Sequence, residues 1–198
     1  NCAGLFSDKV AKLDGLNPKV KIIPFRGEYY EIVNEKSHLL NNMIYPIADP
    51  DLPFLGIHLT KTVDGRIEAG PNAVLAFSRE GYSWTKFNLF ETLETITYKG
   101  MIKLGRKYFK TGIDEMYRSL NKAAFVQEVK KLLPGIESED LIQRPAGVRA
   151  QAVSDDGSLL DDFLFEEGYK SLHVLNAPSP AATASLAIGE YIASKVLN

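Results

Sequence analysis

Arg149 lies in the stretch RPAGVRA, where Pro145 and Gly147 shape the approach to an extended segment. A guanidinium carried on a strand is a rigid fork that grips a carboxylate through two parallel hydrogen bonds. The same arginine can also close an ordinary surface ion pair. Arg26, in PFRGEYY, offers the same fork, with Glu28 and Glu31 close by as alternative partners. His58 stands in LGIHLT among apolar neighbours. An imidazole titrating near neutrality can take the hydroxyl proton when an alcohol is oxidised. Set on a strand, it can equally be a hydrogen-bonded core residue. Tyr29 and Tyr30 are adjacent, so on a strand they point to opposite faces and at most one lines a pocket. Asp161 and Asp162 follow a turn and read as exposed acids at a strand start.

Other chemistries lack their residues. His38, His58 and His173 are scattered and Cys2 is the only cysteine, which leaves no zinc-ligand spacing and no internal disulfide. GxSxG, P-loop and HExxH patterns are absent from the sequence. A formal net charge of −2 gives neither a basic field for nucleic acid nor a polybasic membrane surface. The cations of residues 99–110 therefore read as a solvated face. No run approaches the ~18 apolar residues of a membrane span, so no integral membrane segment is expected. The single cysteine favours a reducing, cytoplasmic compartment, with a peripheral place at the inner membrane left open.

The last stretch, NAPSPAATASLAIGEYIASKVLN, carries a different kind of site. Ser179 suits a helix N-cap and Pro180 the first helical position. Ala181, Ala182 and Thr183 would then present backbone N–H groups with little side chain in the way. Free donors and the helix dipole together favour a negative or electron-rich group there. From Ala184 onward the helix is apolar nearly all round and is expected to be buried.

The elements that must hold these residues follow from periodicity and punctuation. Leu5, Val10 and Leu13 mark a short amphipathic helix ending near Gly15, and Gly4 permits a sharp turn before it. Residues 21–25 and 28–33 read as two extended segments around Arg26-Gly27. Residues 55–60 and 66–69 read as a hairpin closed by Asp64-Gly65. Residues 88–133 take helical periodicity. Glu91, Thr92, Thr95 and Lys99 are expected outside, and Leu93, Ile96 and Met101 inside. Thr111 and Asn121 are candidate caps, and Pro134-Gly135 is the stop. Residues 142–153, 161–166 and 171–175 return to strand character. Grouped strands with hairpin turns predict an α+β fold, a mixed or antiparallel sheet with helices on one side. The chain opens on Asn1, and NCAG reads as the tail of a strand, so a piece of a longer protein is expected.

Several stretches occur together, in order, across essentially the whole chain: NCAGLFSD, IIPFRGEYYEI, MIYPIADPDLPFLGIHLT, GRIEAGPNAVLAF, AGVRAQAVSDDGSLLDDF and NAPSPAATASLAIGEYIA. Together they resemble the C-terminal half of the L-2-hydroxyglutarate oxidase/dehydrogenase family, among the D-amino-acid-oxidase-like FAD oxidoreductases. The resemblance implies oxidation of L-2-hydroxyglutarate to 2-oxoglutarate by hydride transfer to flavin, with oxygen or a quinone as electron acceptor. It also implies a substrate-binding domain at 19–153, flanked by a remnant (1–18) and a C-terminal return (154–198) of an FAD-binding domain. The nucleotide-binding half of that domain is missing, since no GxGxxG occurs here. Gly4, Ser179, Ala181, Ala182 and Thr183 would face the cofactor. Arg149 matches a position that grips the substrate carboxylate, although Ala150 stands where amine-oxidising relatives carry proline. His58 is the candidate base, with Arg26 and Tyr29 as further substrate contacts. The alternatives are a non-catalytic carboxylate-binding or interaction module and a related flavin oxidase for another hydroxy or amino acid.

Overall fold

A long strand, β1 (Val20–Ile32), forms the spine of the molecule. It pairs antiparallel with β5 (Leu141–Ser154) along one edge, from Val20↔Ser154 to Ile32↔Leu141. Its other edge is shared by the short β4 (Val74–Leu75) and by β3 (Ile67–Gly70), and β3 in turn pairs with β2 (His58–Lys61). The computed structural model describes residues 1–47, 56–178 and 181–197. The hairpin predicted at Asp64-Gly65 is present: Gly65 takes a φ of 87°, and Arg66 Nε donates to the Asp64 carboxylate at 2.7 Å.

The two extended segments expected around Arg26-Gly27 are one strand. The irregularity lies opposite instead, where Gly27 pairs with Gly147 but Tyr29 pairs with Arg144, a bulge on β5. Gly27 is needed for a different reason. A Cβ there would lie 2.7 Å from the Pro71 Cβ, so only glycine lets that proline close over the strand.

The helical region resolves into α2 (Leu89–Ile96), α3 (Lys99–Lys107), α4 (Phe109–Leu120) and α5 (Lys122–Leu132). Asn121 caps α5, accepting from the amides of Ala123 at 3.0 Å and Ala124 at 3.3 Å. Thr111, the other expected cap, falls inside α4. The expectation of helices on one side of the sheet is corrected. Phe125, Val126 and Val129 of α5 pack against Tyr30, Ile32, Leu59 and Ile67. Leu104 of α3 packs against Ile23 and Phe25, which have the opposite parity on β1. Buried residues run without a break from Ile22 to Arg26, as they must in a strand covered on both faces.

The inside-outside assignment of α2 is reversed as well. Thr95 is buried, whereas Leu89, Phe90, Leu93 and Ile96 are exposed. The polar side is held inward by specific bonds: Thr92 Oγ1 donates to the Phe77 carbonyl at 2.7 Å, and Glu91 accepts from the Arg79 amide at 2.7 Å.

The chain ends form a second unit. Helix α1 (Ser7–Leu13) is fixed through buried Asp8, which accepts from Arg79 at 2.6 and 2.9 Å and from the Ile22 amide at 3.2 Å. A small antiparallel sheet joins β6 (Leu164–Gly168) and β7 (Ser171–Asn176). Residues 1–4 form no strand, but Asn1 runs beside β7, its amino group donating to Leu172 O at 2.7 Å and its carbonyl accepting from Val174 N at 2.8 Å. Helix α6 (Ser185–Leu197) begins later than expected, after turns over residues 181–184. It buries none of its described residues, and Leu186 is 90% exposed. An all-round apolar helix becomes buried only where other elements surround it. Its ring contact among the described residues is with the β6 hairpin, Tyr191 lying 5.7 Å from Phe165.

Candidate active site

The sheet brings His58, Tyr29 and Arg149 to one face. His58 on β2 is the register partner of Gly70 on β3. A Cβ on Gly70 would meet the Glu28 carbonyl at 2.6 Å and the Tyr29 ring at 3.0 Å, and φ there is 144°. Glycine at this position is what allows β3 to lie against β1 with Tyr29 beside it. Arg149 on β5 partners Phe25, which has the parity of Tyr29, and its charge acts on both Tyr29 and His58. Burial pushes the Tyr29 phenol up, with Arg149 acting against it. Burial also holds the His58 imidazole below its usual pKa; the Gly56 hydrogen bond opposes this, and the Arg149 charge reinforces it.

These contacts define the state of the imidazole. The His58 Nδ1 atom lies 3.3 Å from the Gly56 carbonyl, which can only accept, so Nδ1 carries the proton. Nε2 is left with its lone pair. The ring stacks on Tyr45 at 4.6 Å between centroids and 22° between planes, which limits its rotation. A depressed pKa, a defined tautomer and a restrained ring are what a general base requires.

An open cavity of about 1180 Å³ lies against this face, bounded by His58 and Tyr45, by Arg149, and by Asn72. Asn72 is locked in place, its Oδ1 accepting from Glu28 N at 2.8 Å and its Nδ2 donating to Glu28 Oε2 at 2.9 Å. A wall from α4 and α5 neutralises itself: Arg118 bonds to Glu115 and lies 3.8 Å from Glu128, which also holds Lys131 at 2.8 Å. Small residues, Ala177, Ala181 and Ala182, line a further part.

Arg26 is not at this site. It is 1% exposed, on the opposite face of β1 from Arg149 by strand parity. Its Nε donates to Glu28 Oε1 at 3.1 Å, and its guanidinium lies 4.4 Å from the Trp84 ring centre. Glu28, two residues on and on the same face, pairs with that Nε, while Nη1 and Nη2 are buried with no hydrogen-bond partner among the described residues. Gly4 opens a 3-10 turn (Gly4–Phe6) with φ 53° and is not among the residues bounding the cavity. Ser179 and Pro180 lie outside the described residues, and Thr183 lies in the turns before α6. Asp161 does bound the cavity. Sequence reasoning missed Asn72 and Tyr45. The run Gly70-Pro71-Asn72 directly after a strand was the available signal for the first; nothing local marks Tyr45.

A family model described as FAD dependent oxidoreductase matches residues 1–195. Among similar proteins, an L-2-hydroxyglutarate dehydrogenase of Indibacter alkaliphilus is 55% identical over 190 residues, covering 96% of this chain and 48% of that protein. The mitochondrial L-2-hydroxyglutarate dehydrogenase of Nematostella vectensis is 48% identical, covering 98% of this chain and 44% of its own length. The L-2-hydroxyglutarate dehydrogenase of Escherichia coli K12 is 47% identical, covering 99% and 46% respectively. The chain thus spans about half the length of the curated relatives it matches.

Proposed function

The chain belongs to the FAD-dependent oxidoreductase family, and from that premise we propose that it forms the substrate side of an enzyme oxidising L-2-hydroxyglutarate to 2-oxoglutarate. The observation that carries this reading is the placement of His58 and Arg149 around one cavity, the former with its Nε2 lone pair available. Arg149 takes a substrate carboxylate through its fork and thereby orients the C2 hydroxyl. His58 Nε2 accepts the hydroxyl proton as the C2–H bond breaks, and the two electrons leave C2 with that hydrogen as hydride. FAD, when bound, supplies the acceptor for that hydride. Asn72 bounds the cavity and stays rigid through its two bonds to Glu28, while Tyr29, on the same sheet face as Arg149, is not among the residues bounding it.

The residues present fit a flat ring system. The cavity exceeds what a five-carbon dicarboxylate needs, and the alanines at 177, 181 and 182 leave one side unobstructed. Ala181, Ala182 and Thr183, with Ser179 and Gly4, are assigned to the cofactor side. By the same reading residues 1–18 and 154–198 belong with the FAD-binding domain and 19–153 with the substrate domain. This stretch contains no GxGxxG, so by itself it is expected neither to retain FAD nor to turn over. The final electron acceptor is oxygen or a quinone.

The full-length protein tests this reading. Mixed anaerobically with L-2-hydroxyglutarate it should lose its flavin absorbance. The His58→Gln protein should keep its flavin and reduce it about a hundredfold or more slowly. Intact bound flavin that does not bleach with L-2-hydroxyglutarate would remove that substrate. Unchanged bleaching in His58→Gln would remove the assigned base.

A further inference from the structure

Two side-chain amides at the edge of the cavity have both of their hydrogens engaged and their oxygens left over. Asn176 ends β7 and is 5% exposed. The pairing skips a residue just before it: Phe165 sits opposite Val174 but Leu164 opposite Asn176, which makes Leu175 a bulge. A bulge re-aims the side chain beside it. The Asn176 amide thereby meets the connection between β5 and β6, its Nδ2 donating to Leu160 O at 3.1 Å and to Asp162 O at 2.7 Å. Gln151 of β5 shares the first of these carbonyls. Its Nε2 donates to Leu160 O and to Ala152 O, both at 3.2 Å.

These bonds fix which way each amide faces. A primary amide has two N–H donors and one acceptor oxygen, so turning either one over would set its oxygen against two carbonyl oxygens. Asn176 Oδ1 and Gln151 Oε1 are therefore the atoms that remain, and no hydrogen bond among the described residues reaches either. Arg26 Nη1 and Nη2 are the buried side-chain atoms without a partner among the described residues, so neither oxygen is sealed in the interior. Both residues bound the cavity, as does Asp161, whose carboxylate when ionised also only accepts. This corner of the cavity is lined by acceptors. It repels the carboxylates of a dicarboxylic substrate and suits an uncharged group with an N–H to donate. Beyond Asn176 the lining continues as Ala177, Ala181 and Ala182, with no polar side chain to compete for that donor. An oxidised isoalloxazine carries a single ring N–H, the imide of its pyrimidine edge, flanked by two carbonyls.

We propose that Asn176 Oδ1 accepts that imide N–H, so that Asn176 is a cofactor-binding residue and its two carbonyl bonds are what hold it in place. This rests on the cofactor side assigned above and adds to it a donor and an acceptor. The test is a comparison of two flavins. Full-length apoprotein is titrated with FAD and with 3-methyl-FAD, which has a methyl group in place of the imide hydrogen, and binding is followed by flavin fluorescence. The wild type should bind the methylated flavin about tenfold or more weakly than FAD. Asn176→Ala should bind FAD about tenfold more weakly than wild type, and should separate the two flavins by less than about threefold. A purely structural role for Asn176 would weaken both flavins alike and leave their ratio untouched. Should Asn176→Ala fail to fold, the wild-type comparison alone still decides. Equal binding of both flavins by the wild type would overturn the proposal, and so would wild-type discrimination in Asn176→Ala. An Asn176→Ala protein that binds FAD normally and only raises KM for L-2-hydroxyglutarate would overturn it too, by giving the oxygen to the substrate. Failure of the underlying reading looks different: a wild-type apoprotein that takes up neither flavin removes the cofactor assignment, and this proposal with it.

Discussion

In the proposed reaction His58 and Arg149 would divide the work by chemistry: one holds a lone pair, the other a permanent charge. Replacing Arg149 by lysine keeps the charge but loses the two-pronged geometry. Steady-state kinetics of full-length Arg149→Lys should show KM for L-2-hydroxyglutarate raised at least tenfold, with a smaller loss in kcat. The imidazole makes a pH prediction. Its folded pKa lies below 6.5, chiefly because it is partly buried, so it is neutral and basic at physiological pH. kcat/KM should therefore rise from acid pH and level off through an apparent pKa below 6.5, and that limb should vanish in His58→Gln. The sign for stability follows from the same depression. Protonation is easier in the unfolded chain, so this group costs nothing above pH 6.5 and destabilises the fold as pH falls through 6.5 toward the folded value.

Buried Arg26 and Glu28 show what an element does to residues that look reactive in isolation. Alternation along β1 turns Arg26 away from Arg149 and sets Glu28 beside it, where Asn72 and Ser119 also bond to the carboxylate. Glu28→Gln removes the countercharge of a guanidinium that water hardly reaches. Chemical denaturation should show a loss of about 3–5 kcal/mol, far above a typical surface change. Among the helices, α5 was legible because its signals are local: an asparagine cap, an apolar inner stripe and a Pro-Gly stop. The outward face of α2 was not. Its periodicity identified a helix and a stripe, but the hydrogen bonds that draw Glu91, Thr92 and Thr95 inward come from residues 77–79 and from packing that no window of sequence contains.

On the scale of the whole molecule, the sheet with its helices on both faces is a self-sufficient core, whereas α6 projects with apolar residues in water. The curated relatives are about twice as long as this stretch. The proposed reading places α6 against the remainder of the full-length protein. Hydrogen exchange should report it: amides of α6 should exchange rapidly in this chain and at least a hundredfold more slowly in the full-length protein, while those of α5 should differ little. Equal exchange of α6 in both would contradict that placement.

From sequence alone came the hairpin at Asp64-Gly65, the extent of the helical region and the family resemblance, because alternation, caps and turn residues act within a few positions of each other. The sequence also marked His58 and Arg149 as chemically apt. Only the tertiary structure decided that those two share a face while Arg26 is consumed behind it, and that α2 and α4 show their apolar sides outward. Both outcomes depend on strand register and on partners up to 124 residues away, such as Phe25 opposite Arg149. Distances through space of that kind are set by packing, not by neighbours in the chain.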